Sequence, residues 1–231
     1  MVFESCVDSL DGALASVAGG ARRLELCARL DLGGTTPDPA LVSRIVAATS
    51  VPVVTMVRRR GGDFVYTMDE LAEMVEDVRK MQAAGAHGVA FGVLDADGHV
   101  AVEAMRRLID AARPLPVTCH RAFDVTAALE PALEALIALG VERVLTSGGA
   151  DTAVQGASAI AALVRRAQGR IEVIAGGGVR AANVAALVTA TGVNAVHARL
   201  IREPVAADAT SRERWRQIVA DFVAALPGDH N

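Results

Sequence analysis

Along the 231 residues, short runs rich in Val and Ile alternate with longer segments whose apolar positions recur at helical spacing. The apolar runs predict strands over 2–7, 22–27, 52–57, 87–92, 115–120, 142–146, 171–175 and 193–198. Between and after them the spacing predicts helices over 9–18, 37–48, 69–84, 100–112, 128–138, 156–167, 180–190 and 211–225. Local punctuation agrees. Thr36-Pro37 reads as an N-cap followed by a proline at the first helical position. Thr67 with Glu70, and Thr210 with Glu213, have the spacing of a capping box. Gly85, Gly140 and Gly192 end helical patterns, where a left-handed residue is expected.

Strict alternation of strand and helix implies a parallel sheet covered by helices. Eight such units in one chain fit a closed (β/α)8 TIM barrel, an α/β fold, better than an open sheet. The strands are nearly continuous apolar runs, as burial on both faces requires. No linker or low-complexity tract interrupts the series, so residues 1–231 are expected to form a single domain.

In such a barrel, chemistry belongs at the C-terminal ends of the strands. Those ends carry Glu4, Cys6, Glu25, Cys27, Arg58, His120, Arg121, Thr146, Ser147 and His197, with Asp124 in the loop after strand five. The opposite ends, such as Val51-Pro52 and Leu115-Pro116, look bland. Glu4-Ser5-Cys6 and Glu25-Leu26-Cys27 repeat one frame on consecutive strands. Alternation then puts two carboxylates and two thiols on one face. Two readings are open: a site for a thiophilic ion such as Cu(I) or Zn(II), or two small core residues, since free Cys is among the most buried types.

Composition narrows the setting. Apolar residues make up 52% and aromatics 3%, so the core is aliphatic. A formal charge of −4 gives no electrostatic footprint for nucleic acid. No apolar run is long enough to span a membrane, and the first residues lack the basic start of a secretory signal. Three cysteines without scaffold spacing point to a reducing compartment, so a cytoplasmic location is expected.

Several strand ends carry more specific stretches. They include Glu4-x-Cys6-Val7-Asp8-Ser9, Leu24-Glu25-Leu26-Cys27, Gly33-Gly34-Thr35-Thr36-Pro37 and Arg58-x-Arg60-Gly61-Gly62-Asp63-Phe64-x-Tyr66. Others are His120-Arg121-Ala122-Phe123-Asp124, Arg143-Val144-Leu145-Thr146-Ser147-Gly148 and Gly176-Gly177-Gly178-Val179. In order and over most of the chain, these resemble the CutC family of copper homeostasis proteins. The resemblance implies a TIM barrel over residues 1–198, with 199–231 a divergent loop and C-terminal helix. It also implies copper, as Cu(I), held by Cys6 and Cys27 in a buffering or trafficking role. Glu4 and Glu25 are too hard to be first choices for Cu(I), and as anions they are expected to raise the thiols' pKa. Cys119 departs from the family and is not expected to be a ligand. The family's long segment after strand eight is replaced here by residues 201–205 and an Ala/Asp stretch, which is expected to leave the mouth open.

A second reading is an enzyme acting on a small anionic metabolite bearing phosphate or carboxylate. Its candidates are Arg58, His120, Arg121, Asp124 and Glu25, because a His flanked by carboxylates serves as general acid or base and Arg pairs with carboxylate or phosphate. The alternative is an ion-pair network in which Arg58 and Arg121 neutralise Glu4 and Glu25. Gly176, Gly177 and Gly178 lead into a helix, where backbone N–H groups could bind an anion, or they form a tight turn needing positive φ. The expected partners are thus a copper ion or a small anionic ligand, with no nucleic acid and no membrane. A homo-oligomer, joined through exposed helices, is also expected.

Overall fold

The structure is a computed structural model and describes residues 1–201 and 208–228. Eight parallel strands close on themselves in chain order: β1 (Val2–Val7), β2 (Arg23–Leu26), β3 (Val53–Met56), β4 (Gly88–Phe91), β5 (Val117–Cys119), β6 (Arg143–Thr146), β7 (Glu172–Gly176) and β8 (Ala195–Ala198). Each strand is followed by a helix: α1 (Leu10–Ala18), α2 (Pro39–Ala48), α3 (Met68–Ala83), α4 (Val102–Ala112), α5 (Leu129–Ala138), α6 (Ala157–Ala167), α7 (Ala181–Thr191) and α8 (Ala209–Ala224). Short 3-10 turns over Leu30–Leu32 and Arg121–Val125, which periodicity did not indicate, shape two of the loops at the mouth. The expected TIM barrel is the observed fold.

The large core lies between strands and helices, where Leu24, Phe91, Met74, Met105 and Leu133 are almost wholly buried. Helix α8 packs along α1 and against β1, with Phe222 on Phe3 at 4.5 Å between ring centroids.

Caps explain the helix starts, and two differ from expectation. Thr67 and Glu70 form the capping box of α3. Helix α2 is capped by Asp38 rather than Thr36, with Pro39 in its first turn. Thr36 is drawn off by the end of β3, its hydroxyl accepting from the Arg58 N–H at 3.0 Å. Helix α8 starts at Asp208, whose carboxylate accepts from the Ser211 N–H and hydroxyl, so Thr210 with Glu213 does not cap it. An Asp outranks a nearby Thr as a cap. Gly85, Gly140 and Gly192 all have positive φ, as expected of helix ends.

Strand register decides what points inward. Cys6 lies beside Glu25 across β1 and β2, and Glu4 lies between Arg23 on one side and His197 on the other. Among the described residues, the barrel interior holds two small apolar clusters, one of Cys6, Cys27, Val54, Met56 and Ala90 and the other of Leu145, Ile174 and Ala195. An ionic belt accompanies them. Arg23 pairs with Glu4 and with Glu172, and Arg143 pairs with Glu172. The N-terminal strand ends are therefore not bland: Arg23, Arg143 and Glu172 begin β2, β6 and β7 and turn their charges into the barrel.

Candidate functional site at the barrel mouth

The closed sheet brings the ends of β1, β2, β3, β5 and β8 around one cavity of about 110 Å3. Cys6, Glu25, Cys27 and His197 line one wall. Donor atoms of Cys6, Glu25 and Cys27 all lie within 4.8 Å of one another, as do those of Glu4, Glu25 and His197. All three thiols of the chain are free and buried.

His197 organises this wall. Its Nδ1 meets Glu4 Oε1 at 2.8 Å, and its Nε2 lies 3.7 Å from Glu25. Burial opposes charge on the ring, but Glu25, Cys6 and Glu4 together raise His197 well above 6.5, so it is an imidazolium. Burial likewise opposes the Glu4 carboxylate, yet His197 and Arg23 outweigh it and hold its pKa at about 2. Glu25 lacks such a guanidinium, and burial lifts it to about 8. The thiols divide. A hydrogen bond from Cys27, aided against burial by His197, brings Cys6 down to about 5. That same bond, with burial and Glu25, pushes Cys27 well above the ordinary thiol range. The expected upward push from the carboxylates thus holds for Cys27 alone. At Cys6 the hydrogen bond from Cys27, with the cationic ring of His197, lowers the pKa instead.

The facing wall is built from β3 and β5. Arg58, 5% exposed, donates Nη1 to Leu32 O at 3.1 Å and Nη2 to Gly62 O at 2.8 Å, tying two loops to the end of β3. Its guanidinium stacks 4.7 Å from the Phe64 ring centroid. His120 is also buried, tilted against Phe64, and its Nδ1 accepts from the Ala122 N–H at 3.2 Å. Burial and the Arg58 charge hold the His120 pKa at about 3, so the ring is neutral.

This arrangement corrects two expectations. The His flanked by carboxylates is His197, whereas the contacts of His120 are with Ala122, Phe64 and Arg58. The network neutralising Glu4 consists of Arg23 and His197, and Arg58 and Arg121 take no part in it. Arg121 lines the mouth and pairs with Asp124 at 2.7 Å. Asp124 is committed to the loop after β6, accepting from the Thr146 hydroxyl and the Ser147 and Gly149 N–H groups.

Other residues near these strand ends lie outside the cavity, Cys119 among them as expected. Cys119 packs into the barrel–helix core, where burial and Asp124 raise it to about 12. Arg59 turns outward to Asp77 and Glu73 of α3. Gly177 and Gly178 have φ of +101° and +71°, which accounts for glycine there by backbone conformation. Gly176 has another reason: a Cβ would lie 2.5 Å from Leu145 Cδ1. A larger concavity of about 780 Å3 runs along the outside of α3 beside Arg59 and Arg107, away from the strand ends. Residues 202–205 of the divergent loop, and most of the stretch after them, lie outside the described residues.

Sequence reasoning had Cys6, Cys27, Glu25, Arg58, His120 and Arg121 at this mouth, and the structure brings all six to one cavity. It missed the roles of Phe64, Met56, Leu30 and Arg23. Met56 was findable, since it lies two residues before Arg58 on the same inward face. Phe64 was not, because a loop folds it back over the mouth.

A family model described as the CutC family matches residues 1–201. A family protein CutC of Parabacteroides distasonis is 46% identical over 197 residues, covering 85% of this chain and 81% of that one. The human copper homeostasis protein cutC homolog is 42% identical over 196 residues, covering 85% of this chain and 72% of that protein. The crystal structure of CutC from Streptococcus agalactiae superposes with a TM-score of 0.81 at 32% identity, over 85% of this chain and 97% of that one.

Proposed function

The chain belongs to the CutC family, and from that premise we propose that it serves copper homeostasis by holding Cu(I) between Cys6 and Cys27. Its role is to buffer or pass on the ion in the cytoplasm. One observation carries the reading: two free, buried thiols from adjacent strands share a cavity, with donor atoms within 4.8 Å. One ion can bridge such a span when each metal–sulfur bond is about 2.3 Å, the zinc–thiolate value.

The surroundings favour a soft monovalent ion. Met56 packs with both thiols and adds a thioether to the wall, and sulfur donors select Cu(I). Of the harder oxygens, Glu4 is engaged by Arg23 and His197, and burial lifts Glu25 to about 8, which disfavours its anionic form beside the thiols. His197 beside Cys6 favours the thiolate, the form that binds metal. Human and streptococcal relatives bear copper homeostasis and CutC names, which supports the same assignment here.

Anaerobic Cu(I) titration against a competing chelator tests the reading. Cys6→Ser and Cys27→Ser should each weaken affinity by about a hundredfold or more, while His120→Ala leaves it within a few-fold. Equal affinity in wild type and both serine variants would remove the site.

A further inference from the structure

The wall facing the thiols has unmet chemistry of its own. His120 Nδ1 is occupied as an acceptor by the Ala122 N–H, so the neutral ring carries its proton on Nε2. That N–H is buried and has no hydrogen-bond partner among the described residues. Arg58 Nε is in the same position. The other Arg58 nitrogens reach only backbone carbonyls, and among the described residues no carboxylate pairs with this buried cation. The Tyr66 hydroxyl lies against Arg58, and a neutral phenol cannot balance the charge. Leaving such groups unpaired carries the desolvation penalty of each, greater when one is charged.

Both side chains line the cavity, together with Phe64, Met56, Leu30 and Leu145. Two donors and an uncompensated positive charge suit an anionic acceptor, and the apolar residues around them suit a carbon chain. We propose that the barrel mouth binds a small organic carboxylate, its oxygens received by His120 Nε2–H and Arg58 Nε–H and its carbon end against Phe64, Met56 and Leu145. The cavity of about 110 Å3 equals roughly three to four water volumes at about 30 Å3 each. That admits an acid of two to four carbons. Planar carboxylate also matches the edge of a guanidinium, which a single point charge would not exploit. The site takes the wall opposite the two thiols within the same cavity, and its donors are not those proposed to hold copper.

The test uses metal-free, reduced, full-length protein and three probes of similar size: propionate, propionamide and inorganic phosphate. Binding is followed by the 15N signal of the His120 side chain and by calorimetry. Propionate should saturate in the millimolar range, as about five heavy atoms allow, and should move the His120 Nε2 resonance. Propionamide should bind about tenfold more weakly or worse, as should propionate to Arg58→Lys and to His120→Leu. The wild-type comparison of acid with amide needs no variant, so a misfolded variant does not protect the idea. Failure of propionate to saturate, equal binding of the amide, or a preference for phosphate would each overturn it. No copper enters the experiment, so its outcome is independent of the thiol site.

Discussion

Two histidines at the ends of β5 and β8 face the same cavity in opposite states. His197 is surrounded by Glu4, Glu25 and Cys6 and keeps its proton, whereas His120, buried beside Arg58, does not. The second case has a measurable consequence. A His120 pKa of about 3 in the folded chain lies below the ordinary 6.5, so this residue's contribution to stability is complete above pH 6.5 and is lost as pH falls toward 3. Across that window the unfolded chain gains a proton that the folded chain refuses, at about 1.4 kcal/mol per pH unit. Urea unfolding of wild type and His120→Gln between pH 4 and 7 should show the variant losing less stability on acidification. Parallel pH curves for the two proteins would refute the neutral, buried ring. His120 and Arg58 were recognisable in the sequence as polar ends of apolar strands. Their protonation and pairing were not, because those depend on neighbours from other strands and on Phe64 returning over them.

At the scale of elements, the strand–helix alternation was legible throughout, since each element writes its own period into the chain. Boundaries moved where residues competed. Asp38 and Asp208 took the caps assigned to Thr36 and Thr210, and Thr36 became a tie between the β2 loop and β3. Helix α8 lies beyond the family match, which ends at residue 201, yet it packs on β1 through Phe222, beside Gly19 through Val219, and with Ala15 and Ile201 through Trp215. Phe222 is 1% exposed and stacks on Phe3. Its truncation to alanine removes a large buried ring and leaves a cavity, so Phe222→Ala should cost about 3–5 kcal/mol in denaturant unfolding. The mouth lies at the other end of β1, and the His120 side-chain spectrum should be unchanged in that variant. A loss under 1 kcal/mol would mean that α8 is not docked as described.

For the whole molecule, closure is the deciding event. It sets β8 beside β1, placing His197 against Glu4 across a sequence separation of 193 residues. It also lets Arg23 reach Glu4 on the neighbouring strand and Glu172 on β7 within the barrel. Arg23→Met should therefore destabilise by about 3–5 kcal/mol, because two carboxylates lose a buried partner. Adding Glu4→Gln to that variant should recover part of the loss, a non-additivity that a double-mutant cycle reads directly. Additive losses would show that the belt is not a coupled network. By itself the sequence determined the eightfold alternation, the single barrel, the inward face of each strand and the side of the fold on which the thiols, Arg58 and His120 gather. These follow from periods of two and 3.6 residues, which are local properties of the chain. Only the tertiary structure decided which carboxylate meets which cation, which thiol is ionised and which donors lack partners. Those facts depend on register across a closed sheet, on loops folding over its end and on burial, where a charge a few ångströms away outweighs anything a residue carries alone.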